Sequence, residues 1–151
     1  SLGARAVGAS PEHRTALTLF ARDVGIAFQI QDDLLDLDGD ERLVGKTLGR
    51  DLQKGKLTLP VIHHLATATA PLRGRTLSLL ESARHLDAQH EPADLGQALL
   101  SGLRETDSIA YAQSAARELI AKAKGHLKPL PVTPARATLE RLADAVTSRA
   151  Y

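Results

Sequence analysis

The 151-residue chain contains no cysteine, methionine or tryptophan, and aromatic residues make up only 3% of it. Without cysteine it can form neither disulfides nor thiolate metal sites, which fits a reducing, cytoplasmic compartment. It has no apolar run of the roughly 18 residues that a membrane span needs, and no signal-peptide pattern. Its formal net charge is +1, so we expect no general attraction to nucleic acid or to an anionic membrane surface.

The residues that are present predict an all-α fold, a helical bundle. No segment shows the sustained period-two alternation of a half-buried strand, and alanine and leucine recur at helical spacing. A long helix is predicted from about Pro11 to about Leu37, and residues 86–94 are predicted to form a loop. The predicted helix starts are at Ser10-Pro11, Thr58 with Pro60, Pro71, Thr106-Asp107 and Thr133-Pro134, and Gly125 is predicted to end a helix.

An acidic cluster lies at the end of the long predicted helix. Six of the chain's 18 acidic residues fall between Asp32 and Glu41, and the segment that follows is basic. At about 100° per residue, Asp36 lies about 40° and Asp33 about 100° from Asp32 around the helix, with Gln29 inside that arc. The three carboxylates therefore share one helix face.

This arrangement favours a bound cation, because like charges one turn apart and anions at a helix C-terminus both destabilise a helix. Carboxylate oxygens without thiolate suit a hard ion, so we expect Mg²⁺. The alternative is a solvated acidic helix end without a ligand. A calcium loop over residues 36–41 is rejected, because a first ligand at Asp36 would put Glu41 where such a loop needs glycine.

The motif string from residue 25 to residue 60 resembles the trans-polyprenyl diphosphate synthases. It reads Gly25-x-x-Phe28-Gln29-x-x-Asp32-Asp33-x-x-Asp36, then Gly45-Lys46, Asp51 and Gly55-Lys56-x-Thr58-x-Pro60. The block looks like that family's second aspartate-rich motif and the segment with glycines and lysines that follows it. A bare DDxxD is a weak signal, whereas the whole string with its spacing is specific.

The resemblance implies an isoprenoid-synthase helical fold, a homodimer, and Mg²⁺-dependent condensation of an allylic diphosphate with isopentenyl diphosphate. It also implies roles for individual residues. Asp32 and Asp36 match metal ligands, and Asp33 matches one that binds directly or through water. Lys46 and Lys56 match the lysines that grip the diphosphate. Gln29 matches an amide that faces the developing cation, and Phe28 matches an aromatic residue beside the isopentenyl group. Asp51 matches a carboxylate that holds a metal-bound water.

The chain contains only one DDxxD motif, whereas the family has two. We therefore expect residues 1–151 to be the C-terminal part of a single synthase domain that is inactive alone. The amino-acid sequence from Gly45 to Pro60 favours medium- or long-chain products.

Three alternatives remain open. The chain could be a non-catalytic regulatory or partner subunit of a prenyl synthase, a generic helical interaction domain, or a terpene cyclase. The adjacent His63 and His64 point about 100° apart on a helix and make a poor joint metal site. We expect one of them at the surface and the other partly buried.

Overall fold

The computed structural model of the chain describes residues 2–37, 56–85 and 92–148, and over these ranges it contains helices and no strands. The helices are α1 (Leu2–Ala6), α2 (Pro11–Leu35), α3 (Leu59–Thr67), α4 (Ala70–His85), α5 (Pro92–Glu105), α6 (Ser108–His126) and α7 (Pro134–Thr147). The predicted all-α class is confirmed. The long helix ends at Leu35, about two residues earlier than predicted, and α5 begins at Pro92, inside the predicted loop.

Two helix starts follow the predicted capping chemistry. The Oγ of Ser10 accepts a hydrogen bond from the backbone N–H of His13 at 3.2 Å, ahead of α2. The Oγ1 of Thr133 accepts one from the backbone N–H of Arg136 at 3.3 Å, ahead of α7. In each case a side-chain oxygen satisfies an N–H group that the first helical turn leaves without a partner.

At two other helix boundaries, the predicted residue does not cap or end the helix in the expected way. Thr58 takes the N-cap position of α3, but its side chain makes no capping hydrogen bond. The Thr58 Oγ1 is buried and has no hydrogen-bond partner in the described part of the chain. Gly125 does not end α6, which runs one residue further to His126. Tight turns close that helix instead, with the N–H of Leu127 bonded to the Lys124 carbonyl at 3.1 Å.

The chain divides into two compact units. The first comprises residues 1–31 and 114–151, and the second comprises residues 32–113. The core of the first unit comes from α2, α6, the turn after α6, and α7. Its buried members are Phe20, Ala27, Ile120, Ala123, Leu127, Ala143 and Val146. The small alanines allow close helix contact, and the larger side chains bury apolar area at about 25 cal/mol per Å².

One charged side chain is buried in the first unit. Asp23 is 1% exposed. Its Oδ1 accepts a hydrogen bond from Arg22 Nε at 2.9 Å, and its Oδ2 lies 3.0 Å from His126 Nε2 and 3.8 Å from Lys122 Nζ. Burial alone would raise the pKa of Asp23, but the hydrogen bonds and the charges of Arg22 and Lys122 hold it below its ordinary value of 3.8.

The second unit has its own core, formed by α3, α4 and α5. The buried members are Val61, Ala83, Leu99, Leu100 and Leu103, with Leu37, Leu65, Leu80, Leu95 and Ile109 packed against them. Leu95, Leu99 and Leu103 recur at helical spacing, which brings all three to the core side of α5.

A chain of polar side chains is buried beside the second core. His64 is 0% exposed, its Nδ1 lies 2.9 Å from Thr106 Oγ1, and its Nε2 lies 2.8 Å from Thr76 Oγ1. Thr106 Oγ1 donates to the Gly102 carbonyl at 3.0 Å and lies 2.7 Å from Ser108 Oγ. Thr76 Oγ1 also donates to the Leu72 carbonyl at 3.2 Å, so each ring nitrogen of His64 faces a hydroxyl that already bonds a backbone carbonyl.

The two histidines are more buried than expected, since His63 is half-buried and His64 fully buried. His63 Nδ1 lies 2.9 Å from Ser108 Oγ, and its ring stacks on Tyr111 at 3.9 Å. Burial lowers the pKa of His64 below its ordinary value of 6.5, although the Gly102 carbonyl and the charge of Glu105 act in the opposite direction.

The imidazole of His64 also limits which residue fits at position 102. A Cβ atom added to Gly102 would lie 3.0 Å from His64 Cε1 and 3.4 Å from Nε2. A methyl group there would overlap a ring whose two nitrogens are both engaged. Glycine is therefore the residue that lets α5 pass close to α3.

Candidate functional site

The DDxxD motif lies at the C-terminal end of α2. Asp32 and Asp33 are in the last turn of the helix, and Asp36 is in the turn that follows Leu35. The N–H of Leu37 bonds back to the Leu34 carbonyl at 3.0 Å, so the chain stays tightly wound through the motif. The sequence therefore places all three carboxylates within about one turn of each other, as predicted.

The three carboxylates are not equivalent. Asp32 and Asp36 are exposed, whereas Asp33 is buried, at 8% exposure. The three were predicted to share one helix face, but only Asp32 and Asp36 are exposed. Its position about 100° around the helix from Asp32 turns its side chain away from the open face.

Asp33 is joined to the basic segment that follows the acidic cluster. Its Oδ1 lies 3.1 Å from Lys56 Nζ, with side-chain exposures of 10% for Asp33 and 42% for Lys56. The structure thus brings together two of the residues that the motif string singled out, although they are far apart in sequence. Lys46 and Asp51 lie outside the described residues.

Phe28 and Gln29 lie on α2 one turn before the carboxylates, in the first unit. Both are exposed, and Phe28 is 46% exposed. Other apolar residues of the same helix, Phe20 and Ala27, are buried in the core of the first unit.

The donor set suits a hard metal ion. Asp32 and Asp36 offer exposed carboxylate oxygens, which are the ligands that Mg²⁺ prefers, and this ion keeps several waters and needs only one or two protein carboxylates. Across residues 2–37, 56–85 and 92–148, no three His, Asp or Glu side chains gather as a metal cage would require. The two exposed carboxylates would suit a cation that keeps several of its waters.

The motif string did not reveal the buried polar residues. No local pattern around Asp23 in α2 predicts its burial, because its partner His126 is 103 positions away. The contacts of His64 with Thr76 and Thr106 have no sequence spacing that predicts them.

Among the described helices, none combines the length and apolarity needed to cross a membrane.

The helices and the acidic helix end together define an isoprenoid-synthase type of helical protein. The chain superposes on a crystal structure of a polyprenyl synthase from Roseobacter denitrificans with a TM-score of 0.80 and 34% identity, covering 99% of this chain and 46% of that one. The family pattern described as polyprenyl synthetase matches residues 1–94. The chain belongs to the polyprenyl synthetase family.

Curated relatives support the same assignment. A short chain isoprenyl diphosphate synthase of Methanothermobacter thermautotrophicus is 34% identical over 149 residues, covering 99% of this chain and 43% of that protein. Heptaprenyl diphosphate synthase component 2 of Bacillus subtilis is 33% identical over 150 residues, covering 99% of this chain and 40% of that protein. The chain thus spans less than half the length of these relatives. Their names differ in product length, so the expected product length stays a prediction.

Proposed function

We propose that the chain provides the diphosphate-binding wall of a polyprenyl diphosphate synthase, which joins an allylic diphosphate to isopentenyl diphosphate. The observation that carries this proposal is the ion pair between Asp33 and Lys56 at 3.1 Å. It brings the aspartate-rich helix end next to Lys56, so that carboxylates and an ammonium group lie close together. A metal-bound diphosphate needs both, because it presents cations and phosphate oxygens together.

Each site residue then has a separate task. Asp32 and Asp36 would hold Mg²⁺ through exposed oxygens, and Lys56 and Lys46 would bind diphosphate oxygens as point charges. Mg²⁺ at this site would offset the negative charge that develops on the departing diphosphate. Electrostatic stabilisation of that charge is the main catalytic task when a C–O bond ionises.

Phe28 and Gln29 serve the hydrocarbon side of the reaction. The side-chain oxygen of Gln29 would face the developing allylic cation, where its partial negative charge is favourable. The ring of Phe28 would border the isopentenyl group and keep water from the reacting carbons. Both are exposed residues on the helix that carries the carboxylates, which supports these roles.

Catalysis also needs a second aspartate-rich wall, and the 151 residues contain a single DDxxD motif. We propose that this wall comes from a further segment or a partner polypeptide, and that residues 1–151 are part of one synthase domain, inactive alone and dimeric when complete. A non-catalytic partner subunit is the second candidate. The name of the Bacillus subtilis relative, heptaprenyl diphosphate synthase component 2, favours assembly with another chain.

Calorimetric titration of the chain with a bisphosphonate, with and without Mg²⁺, tests the proposal. We expect binding that requires Mg²⁺ and that Asp32→Asn weakens at least about tenfold. Glu12→Gln is the matched control, because Glu12 is an exposed acidic residue at the other end of the same helix. It should leave the affinity within about twofold. Binding that ignores Mg²⁺, or that Asp32→Asn leaves unchanged, would rule the proposal out.

A further inference from the structure

The burial of Asp33 separates it from the two neighbouring carboxylates. Its side chain is 10% exposed and its Oδ1 is 3.1 Å from the Lys56 ammonium, whereas Asp32 and Asp36 are exposed. A hydrated Mg²⁺ ion binds with several of its waters retained and needs room around the carboxylate. Asp32 and Asp36 provide that room, and Asp33 provides much less.

The helix geometry gives the same division. Asp36 lies about 40° from Asp32 around the axis, and Asp33 lies about 100° away, on the flank that faces Lys56. One cation can therefore be shared by Asp32 and Asp36 without Asp33. The carboxylate of Asp33 is turned toward a lysine whose own position matters for binding an anion.

From this geometry we propose that Asp33 is a positioning residue for Lys56 and not a metal ligand. The inference rests on the proposed function, since it concerns how the same site takes a diphosphate. A lysine side chain is long and flexible, so its ammonium is held in place only by its partners. An ammonium carries three N–H donors, which allows it to serve a carboxylate and a phosphate oxygen at the same time.

The Lys56 side chain is 42% exposed, whereas the Asp33 side chain that pairs with it is 10% exposed. This is the arrangement expected of an anchored anion-binding group. It also gives a prediction of definite sign. On charge alone, removing the Asp33 carboxylate would strengthen the binding of an anion nearby. If Asp33 positions Lys56, removing it weakens that binding.

The test uses Mg²⁺ alone and inorganic pyrophosphate at saturating Mg²⁺ as probes of the full chain. We expect Asp33→Asn to leave the Kd for Mg²⁺ within about twofold and to weaken pyrophosphate binding about fivefold to tenfold. Asp32→Asn should weaken Mg²⁺ binding itself. Asp33→Glu, which keeps the carboxylate, should recover most of the pyrophosphate affinity, a result that a loss of folding would not give.

A double-mutant cycle completes the experiment. Lys56→Met should weaken pyrophosphate binding, and adding Asp33→Asn to it should cause no further loss, because the residue that Asp33 positions is already absent. Additive losses, a stronger affinity in Asp33→Asn, or an equal loss of Mg²⁺ binding in Asp33→Asn and Asp32→Asn would each overturn the inference while leaving the proposed function standing. A wild-type chain that binds no Mg²⁺-pyrophosphate would overturn both.

Discussion

The Oδ2 atom of Asp23 lies 3.0 Å from the Nε2 atom of His126, which is 103 positions further along the chain. Asp23 is buried, whereas Arg22 and Lys122, which also pair with it, have side chains that are 53% and 59% exposed. The carboxylate is therefore the member of this cluster that cannot return to water. Its loss should affect the folding of the first unit more than the loss of any of its basic partners.

Replacing Asp23 by asparagine should lower the free energy of unfolding by about 2 kcal/mol, because the charge-assisted hydrogen bonds to a buried carboxylate are lost. Urea unfolding followed by circular dichroism measures the change. Asp144→Asn is the matched control, since it breaks an exposed ion pair with Lys124. The side chain of Asp144 is 55% exposed and that of Lys124 is 38% exposed. Its effect should stay below about 1 kcal/mol. Equal effects would contradict the structural role given to Asp23.

The same carboxylate predicts part of the acid sensitivity. The pKa of Asp23 is lower in the folded chain than its ordinary value of 3.8, so its stabilising effect is complete above that value. It is lost as the pH falls below it, because the unfolded chain then binds more protons. The unfolding free energy of Asp23→Asn should consequently depend less on pH in the acid range, and unchanged dependence would count against the ion cluster.

His64 should act in a higher pH range. Its pKa is lowered below 6.5 by burial, so as the pH falls through 6.5 the unfolded chain takes up a proton that the folded chain resists. Stability should therefore fall on acidification, with a slope of at most about 1.4 kcal/mol per pH unit from this group. Unfolding free energies of the wild type and of His64→Gln between about pH 7 and about pH 5 give the measurement. A slope that is the same in both proteins would contradict the prediction.

Glycine-to-alanine exchanges at two helical positions should have opposite signs. Gly74→Ala in α4 meets nothing within 4 Å, so it should stabilise the helix by roughly 0.5–1 kcal/mol. Gly102→Ala in α5 would come 3.0 Å from the buried His64 ring and should destabilise the chain by about 1–3 kcal/mol. Thermal unfolding of the two variants side by side tests this, and two shifts of the same sign would contradict the packing at Gly102.

Two threonines at N-cap positions should also respond in opposite ways. Thr133 caps α7 through its hydroxyl, so Thr133→Val should cost about 1 kcal/mol of stability. The buried Thr58 hydroxyl lacks a partner among the described residues, so Thr58→Val, which keeps the shape, should stabilise by about 1 kcal/mol. Both are read from the midpoint of urea unfolding. A loss at Thr58 equal to that at Thr133 would indicate that the Thr58 hydroxyl does form a hydrogen bond.

Local chemistry explains what the sequence predicted well. The starts of α2 and α7 follow from a hydroxyl residue followed by proline, and both caps depend only on residues within one turn. The buried side of α2 follows from helical spacing, which is also a local property. The residues of the acidic helix end were likewise identified from their spacing within a single helix.

The properties that depend on distant residues could not be obtained in this way. Asp32 and Asp33 are adjacent and chemically identical, and they differ because Lys56 packs beside one of them. Asp23 is buried because α6 brings His126 and Lys122 to it. Both ring nitrogens of the buried His64 have partners because hydroxyls from α4 and from the turn after α5 reach them. These are tertiary contacts, and no pattern within one helix encodes them.

The close approach of His64 and Gly102 has a consequence for how the sequence can evolve. The two positions share one fixed volume, and the imidazole fills it. A homologue with a small residue at the position of His64 would have room for a side chain at the position of Gly102. It would also lose the hydrogen bonds that the His64 ring makes with the hydroxyls of Thr76 and Thr106. We therefore expect substitutions at positions 64 and 102 to occur together among homologues, even though neither residue belongs to the acidic helix end.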